Sequence, residues 1–187
     1  MALTSAQALI LKAAINANPT WAAYPVNDDG YIDLAVILNK LVVPTFWVWS
    51  TNVDVQKVRR AITWANLTPA DTPDGTQQWA NRSLQCQGKQ FNLQLMIPPT
   101  GELNASDITL RGGIQDALQG INSGVAGIAQ GAGWSKVQLT LSRPATEGEK
   151  IFADIALGNG LTQATPANLT YEGAFSPPDI ALARTSV

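Results

Sequence analysis

The sequence predicts a mainly α fold: a bundle of about five helices followed by a small β-containing C-terminal tail. Three observations carry this expectation. Apolar residues recur at helical spacing through most of the first 122 positions. Each periodic run is bounded by capping residues or by Pro, Gly and Asn clusters. After Ser123 the character changes to glycine punctuation and then to strict alternation of apolar and polar residues. The expected organisation is a helical body over 1–122, a Gly-rich linker over 123–135 and a β-containing tail over 136–187.

Residues 4–17 read as the first helix, with Leu9, Ile10, Ala13 and Ala14 as its stripe, Thr4 or Ser5 as its cap and Asn18-Pro19 as its end. A turn at Asn27-Asp28-Asp29-Gly30 precedes a second helix over 33–41 with Asp33 as N-cap. Thr45 to Thr51 is aromatic and β-branched and reads as extended. A third helix over 54–65 sets Val55, Val58, Ala61, Ile62 and Ala65 on one face and Lys57, Arg59 and Arg60 on the other. Turn residues over 68–75 break the chain before a long, Gln- and Asn-rich helix over 76–96, which Pro98-Pro99 stops.

Asn104 is the expected cap of a fifth helix carrying Leu110, Ile114, Ala117, Leu118 and Ile121. Gly112-Gly113 inside it costs about 2 kcal/mol relative to alanine, so close approach of another backbone is expected there. Lys136 to Ser142 alternates as a half-buried strand, with Val137, Leu139 and Leu141 on one face. A short helix runs from Thr146 to Phe152, Leu169 to Phe175 pairs as a second strand, and Ser176-Pro-Pro-Asp179 starts a last short helix.

Composition limits the chemistry. The 187 residues contain no histidine and one cysteine, Cys86. Ser–His and Cys–His nucleophile pairs and thiolate-rich metal sites within one chain are therefore excluded, and neither catalysis nor a cofactor is expected. Charged residues make up 14% of the chain, where about 25% is usual. A surface poor in charge is easier to desolvate against another protein, and it also suits a neutral soluble domain. The net charge of −2 gives no broad attraction to nucleic acid or anionic lipid. No run approaches the ~18 apolar residues of a membrane span, and Met1 to Lys12 lacks a signal-peptide pattern.

Asn27 to Asp33 resembles the middle of a calcium loop. With Gly30 as the turn glycine at position six, however, the first and twelfth positions fall on Pro25 and Val36, which offer no carboxylates. The glycines from Gly124 to Gly133 lack the Gly-Lys-Ser/Thr of a phosphate loop. Glu147 with Glu149, and Asp28 with Asp29, sit too close along the chain to form an acid/base dyad. The cluster Lys57, Arg59 and Arg60 suits a solvated helix face, an acidic partner or phosphate. Six tryptophans are many for this length, and Trp47 and Trp49 share one face of an extended segment that needs covering.

The order of several segments resembles a family of tailed-bacteriophage structural proteins. They are the Asp-Gly turn with Asp33-Leu-Ala-Val-Ile-Leu-Asn39, then Phe46-Trp-Val-Trp-Ser-Thr-Asn-Val53 and Asp74-Gly-Thr-Gln-Gln-Trp-Ala-Asn-Arg82. Asn104-Ala-Ser106, Arg111-Gly-Gly-Ile-Gln-Asp116 and Arg143-Pro-Ala-Thr-Glu-Gly-Glu-Lys150 follow. The resemblance spans most of residues 4–185 and implies a non-enzymatic head–tail connector, or adaptor, docking beneath the portal. It implies a homo-oligomeric ring of about twelve copies closed by heterologous contacts, with portal, tail or neck proteins as partners. DNA passing through a lumen lined by Lys57, Arg59 and Arg60 is a further implied contact. The implied location is the virion head–tail interface, after assembly in a bacterial cytoplasm. A capsid decoration or tail-completion protein is the alternative. Candidate partner-contact residues are Trp47, Trp49, Arg59, Arg60, Arg143, Tyr171 and Phe175. No metal ligand is expected.

Overall fold

The computed structural model describes residues 3–64, 84–119 and 133–186. In chain order the elements are α1 (Ser5–Ala17), α2 (Pro19–Ala22), α3 (Asp28–Leu38), β1 (Trp47–Trp49), β2 (Val53–Asp54), α4 (Val55–Ala61) and α5 (Leu84–Met96). They continue with β3 (Glu102–Leu103), α6 (Ile108–Leu118), α7 (Trp134–Leu141), β4 (Ser142–Pro144), α8 (Glu147–Ile151), β5 (Ala153–Asp154), β6 (Asn168–Leu169) and α9 (Pro177–Thr185). The fold is mainly α, and among the described residues the strands form three two-stranded sheets, β1–β4, β2–β3 and β5–β6.

The chain divides into two compact units. One joins residues 1–48 to residues 143–187; the other is 49–142. The C-terminal segment therefore packs with the N-terminal helices, a division different from the expected body over 1–122 and tail over 136–187. The expected linker lies mostly outside the described residues.

In the first unit α9 packs on both α1 and α3. Leu11, Ile15, Leu34, Leu38 and Ile180 are fully buried there, each contributing about 1.5–3 kcal/mol relative to an exposed side chain. Phe152, Tyr171 and Phe175 complete this core as an aromatic triad, with ring centroids 4.9 to 6.0 Å apart. A smaller cluster gathers Val42, Phe46, Val48, Ala145 and Ala167.

Local chemistry explains where the helices start. At α1, Thr4 Oγ1 accepts from the Gln7 backbone and Gln7 Oε1 accepts from the Thr4 backbone, a capping box. Asn18 caps α2 by accepting from the Thr20 and Trp21 amides. Helix α3 begins five residues before the expected cap: Asn27 accepts from Gly30 N, and Asp28 and Asp29 lie in the first turn, where the helix dipole favours them. Gly30 is thus helical rather than a turn residue. A Cβ there would overlap the Pro25 carbonyl, so the position admits only glycine. Thr146 and Glu149 form a second capping box at α8, and the proline-led start of α9 stands as expected.

In the second unit Val55, Val58, Ile62, Leu93, Ile97, Ile114, Leu118, Val137 and Leu141 form one core. α5 packs on α6, and α4 on α7. Asp107, not Asn104, caps α6 by accepting from the Thr109 and Leu110 amides. Asn104 instead closes a local turn on Ser106. Gly112 faces open space and Gly113 meets the Met96 side chain, so among the described residues no backbone makes the close approach expected at this pair. The first part of the expected 76–96 helix lies outside the described residues.

The expected strand over 136–142 is helix α7. Val137 and Leu141 satisfy both patterns, being alternate positions of a strand and i, i+4 positions of a helix. The helix buries those two and leaves Leu139 exposed. Of the expected second strand over 169–175, only Leu169 lies in a strand; β6 pairs antiparallel with β5 in the register Ala153↔Leu169 and Asp154↔Asn168.

Candidate interaction surfaces

Most of the candidate contact residues are used inside their own unit. Trp49 is 6% exposed, Tyr171 4% and Phe175 2%, so none of the three presents a surface to a partner. The reason is that each fills a core: Trp49 joins the second unit's cluster, and Tyr171 and Phe175 the first unit's triad. Trp47 is half-buried on β1, where its amide donates to Gly160 O at 2.7 Å. Arg59 is half-buried, donates to the Ile97 and Pro98 carbonyls and stacks over Trp64 at 5.7 Å. Among the seven, Arg60 alone is exposed.

Arg143 is held in place by two carboxylates. Its Nη1 and Nη2 bond Glu149 at 2.9 and 2.7 Å, while Nε and Nη2 bond Glu172 Oε1 at 3.1 and 2.7 Å. Nη1 also donates to Pro144 O at 3.1 Å, so all five guanidinium protons have acceptors. Glu149 further accepts from the Thr146 and Gly173 amides. Burial pushes the Glu149 carboxyl up, but the Arg143 hydrogen bonds, the two amides and the Arg143 charge together outweigh it and leave the group below the usual carboxylate range. Arg143 is correspondingly raised, burial notwithstanding. The cluster welds β4, α8 and the 172–173 turn together.

The surfaces that remain are helical. α1 buries Ala8, Leu11 and Ile15, not the stripe expected from the sequence. Its opposite side exposes Ala6, Leu9, Ile10, Ala13 and Ala17, with Leu9 at 44% and Ile10 at 47%. The only charged residue in the helix, Lys12, is turned aside to donate to Ser186 O at 2.6 Å. α1 is therefore apolar on both faces, a pattern ordinarily found in a helix covered on all sides. The signal was present in the sequence: nine of its thirteen residues are Ala, Leu or Ile, more than one core-facing stripe needs.

α3 exposes a different mixture. Ile32 and Val36 are 49% and 55% exposed, flanked by the exposed Asp28, Asp29 and Asp33. In the second unit α4 exposes Lys57 and Arg60, and α7 exposes Lys136 and Leu139. Neither of these two helices contains an acidic residue. A groove of about 290 Å³ lies between α5 and α6, lined by Asn92, Leu95, Met96, Gly113, Asp116 and Ala117.

Among the described residues no group of three or more His, Cys, Asp or Glu side chains is placed to hold a metal ion. No helix among them is long and apolar enough to cross a membrane. Comparison with protein-family models, with curated proteins and with solved structures finds no match.

Proposed function

We propose that this chain is a non-enzymatic structural protein that assembles with copies of itself, and that it serves as a head–tail connector of a tailed-phage virion. The observation that carries the assembly reading is the second, uncharged apolar face of α1. Ala6, Ala13 and Ala17 flank Leu9 and Ile10 there, so a facing helix can approach closely and desolvate no charge. The connector role rests on the segment resemblance. In that role identical chains sit side by side in a ring closed by heterologous contacts, with the portal above and tail or neck proteins below.

Two measurements test this. The mass of the purified full-length protein, followed with concentration by mass photometry, is expected to show a discrete closed oligomer; a monomer at all concentrations removes the assembly reading. Quantitative mass spectrometry of virions is expected to give a copy number near that of the portal. A large excess over the portal reassigns the chain to capsid decoration, and its absence from virions removes the structural role.

A further inference from the structure

The two units carry opposite charge. Residues 1–48 and 143–187 hold five basic and eight acidic residues, net −3, whereas residues 49–142 hold seven basic and six acidic, net +1. The imbalance is concentrated on helix faces. Asp28, Asp29 and Asp33 of α3 have no ion-pair partner among the described residues, and they surround the exposed aliphatics Ile32 and Val36. Lys57 and Arg60 of α4 and Lys136 of α7 are likewise exposed without a carboxylate, and Leu139 is exposed one turn from Lys136.

We propose that the α3 face of one copy docks on the α4–α7 face of the next, joining the acidic face to the basic one around Ile32, Val36 and Leu139. The proposal rests on the self-assembly reading above and names the contact that propagates it. A second copy is the favoured occupant because the same chain carries both complementary faces, on different units, and no ion pair among the described residues engages the charges of either. The contact is heterologous, the type from which rings are built. An apolar centre rimmed by opposite charges gives affinity from the centre and register from the rim. Because the rim charges are exposed, the contact weakens as salt shortens the screening length, ~8 Å at physiological ionic strength.

The test uses the full chain and reads oligomer mass against protein concentration at low and high salt. Wild type is expected to assemble, with a dissociation midpoint that rises with salt. The neutralised variant Asp28→Asn/Asp29→Asn/Asp33→Asn, which keeps the Asn27 cap but gives up the charge–dipole term at Asp28 and Asp29, is expected to raise that midpoint about tenfold. The variants Asp29→Lys/Asp33→Lys and Lys57→Glu/Arg60→Glu/Lys136→Glu are each expected to lose this contact and fall to a smaller species, with an unchanged circular dichroism spectrum. Mixed together they restore assembly, because each then carries the complement of the other. If wild type assembles and these variants assemble equally well, the contact lies elsewhere and the inference is overturned while the assembly reading stands. A monomeric wild type overturns both. If Lys57→Glu/Arg60→Glu/Lys136→Glu leaves assembly intact but abolishes retention of a short DNA duplex, the basic face serves nucleic acid, and the inference again fails.

Discussion

Each unit withdraws an arginine from water, and the two do it differently. In the first, Arg143 is 29% exposed and shared between Glu149 and Glu172. In the second, Arg111 is 7% exposed, lies over the Trp49 ring at 4.2 Å and donates to Ala105 O at 2.6 Å. Burial lowers the Arg111 pKa, and the charge of Asp107 offsets only part of that. The Arg143 cluster joins segments that are adjacent in space and distant in sequence, since Glu172 comes from the far end of the chain. Arg111 reaches back six residues to a carbonyl of its own loop. One arginine is a tertiary tie, and the other is a local prop beneath a tryptophan.

The sharpest way to break this comparison is to remove the whole tie together with the segment that carries it. Truncation after Ser142 deletes Phe152, Tyr171, Phe175, Ile180 and Ala183 from the core built on α1 and α3. The expected result is loss of the first unit's fold, read as loss of cooperative unfolding and of protection of the α1 and α3 amides in hydrogen exchange. Protected α1 and α3 amides in the truncated chain would show that residues 143–187 are a dispensable tail after all.

Next in size is the pair of arginines themselves. Arg143→Leu leaves the nearly buried Glu149 carboxylate without its counter-ion and is expected to cost about 3 kcal/mol, the lower end of the range for breaking a buried pair because solvent reaches Arg143. Arg111→Leu strands no carboxylate. It loses a cation–π contact and one hydrogen bond, for a cost of about 1 kcal/mol. Urea unfolding of both variants gives the comparison, and equal costs would erase the distinction. Gly148→Ala probes the same region by sterics: its Cβ would overlap the Phe175 ring, for an expected loss of about 1–3 kcal/mol.

Acid separates the units as well. Glu149 and Asp179 are both held below the ordinary carboxylate range. For Asp179 burial pushes upward, but the Ser176 side-chain and backbone donors and the Leu3 amide win. Such groups bind fewer protons folded than unfolded just below the ordinary carboxyl pKa, so stability falls as pH drops through that window and is fully present above it. Both belong to the first unit. Its amides are therefore expected to lose hydrogen-exchange protection below about pH 4 before those of the second unit. Simultaneous loss would show that the carboxylates do not govern acid stability.

Part of this architecture was legible in the sequence. The caps at Thr4 and Thr146 and the Ser176-Pro-Pro start are local patterns with local causes, and they place the starts of α1, α8 and α9 closely. α7 was not legible, because Val137 and Leu141 fit a strand and a helix equally well and only tertiary burial decides between them. The true start of α3 was hidden behind Gly30, whose apparent role as a turn residue is overridden by the Asn27 cap and the close Pro25 carbonyl. The aromatic candidates were misplaced for a related reason. Tyr171 and Phe175 look available at the end of a chain, but the 143–187 segment folds back over α1 and α3, and no local pattern reports such a long-range pairing.

The smallest expected effect on stability is the one most informative about function. The double variant Leu9→Gln/Ile10→Gln changes two side chains that are nearly half exposed, on the face of α1 turned away from its core. Glutamine keeps comparable length and helix propensity, so the melting free energy should move by no more than ~0.5 kcal/mol. The oligomer should respond far more strongly, because glutamine brings polar groups that a close helix–helix contact must desolvate. A large fall in oligomer mass beside an unchanged unfolding curve places this face at a subunit contact. A large loss of stability instead places Leu9 and Ile10 in the folding core of their own chain, and removes the observation on which the assembly reading rests.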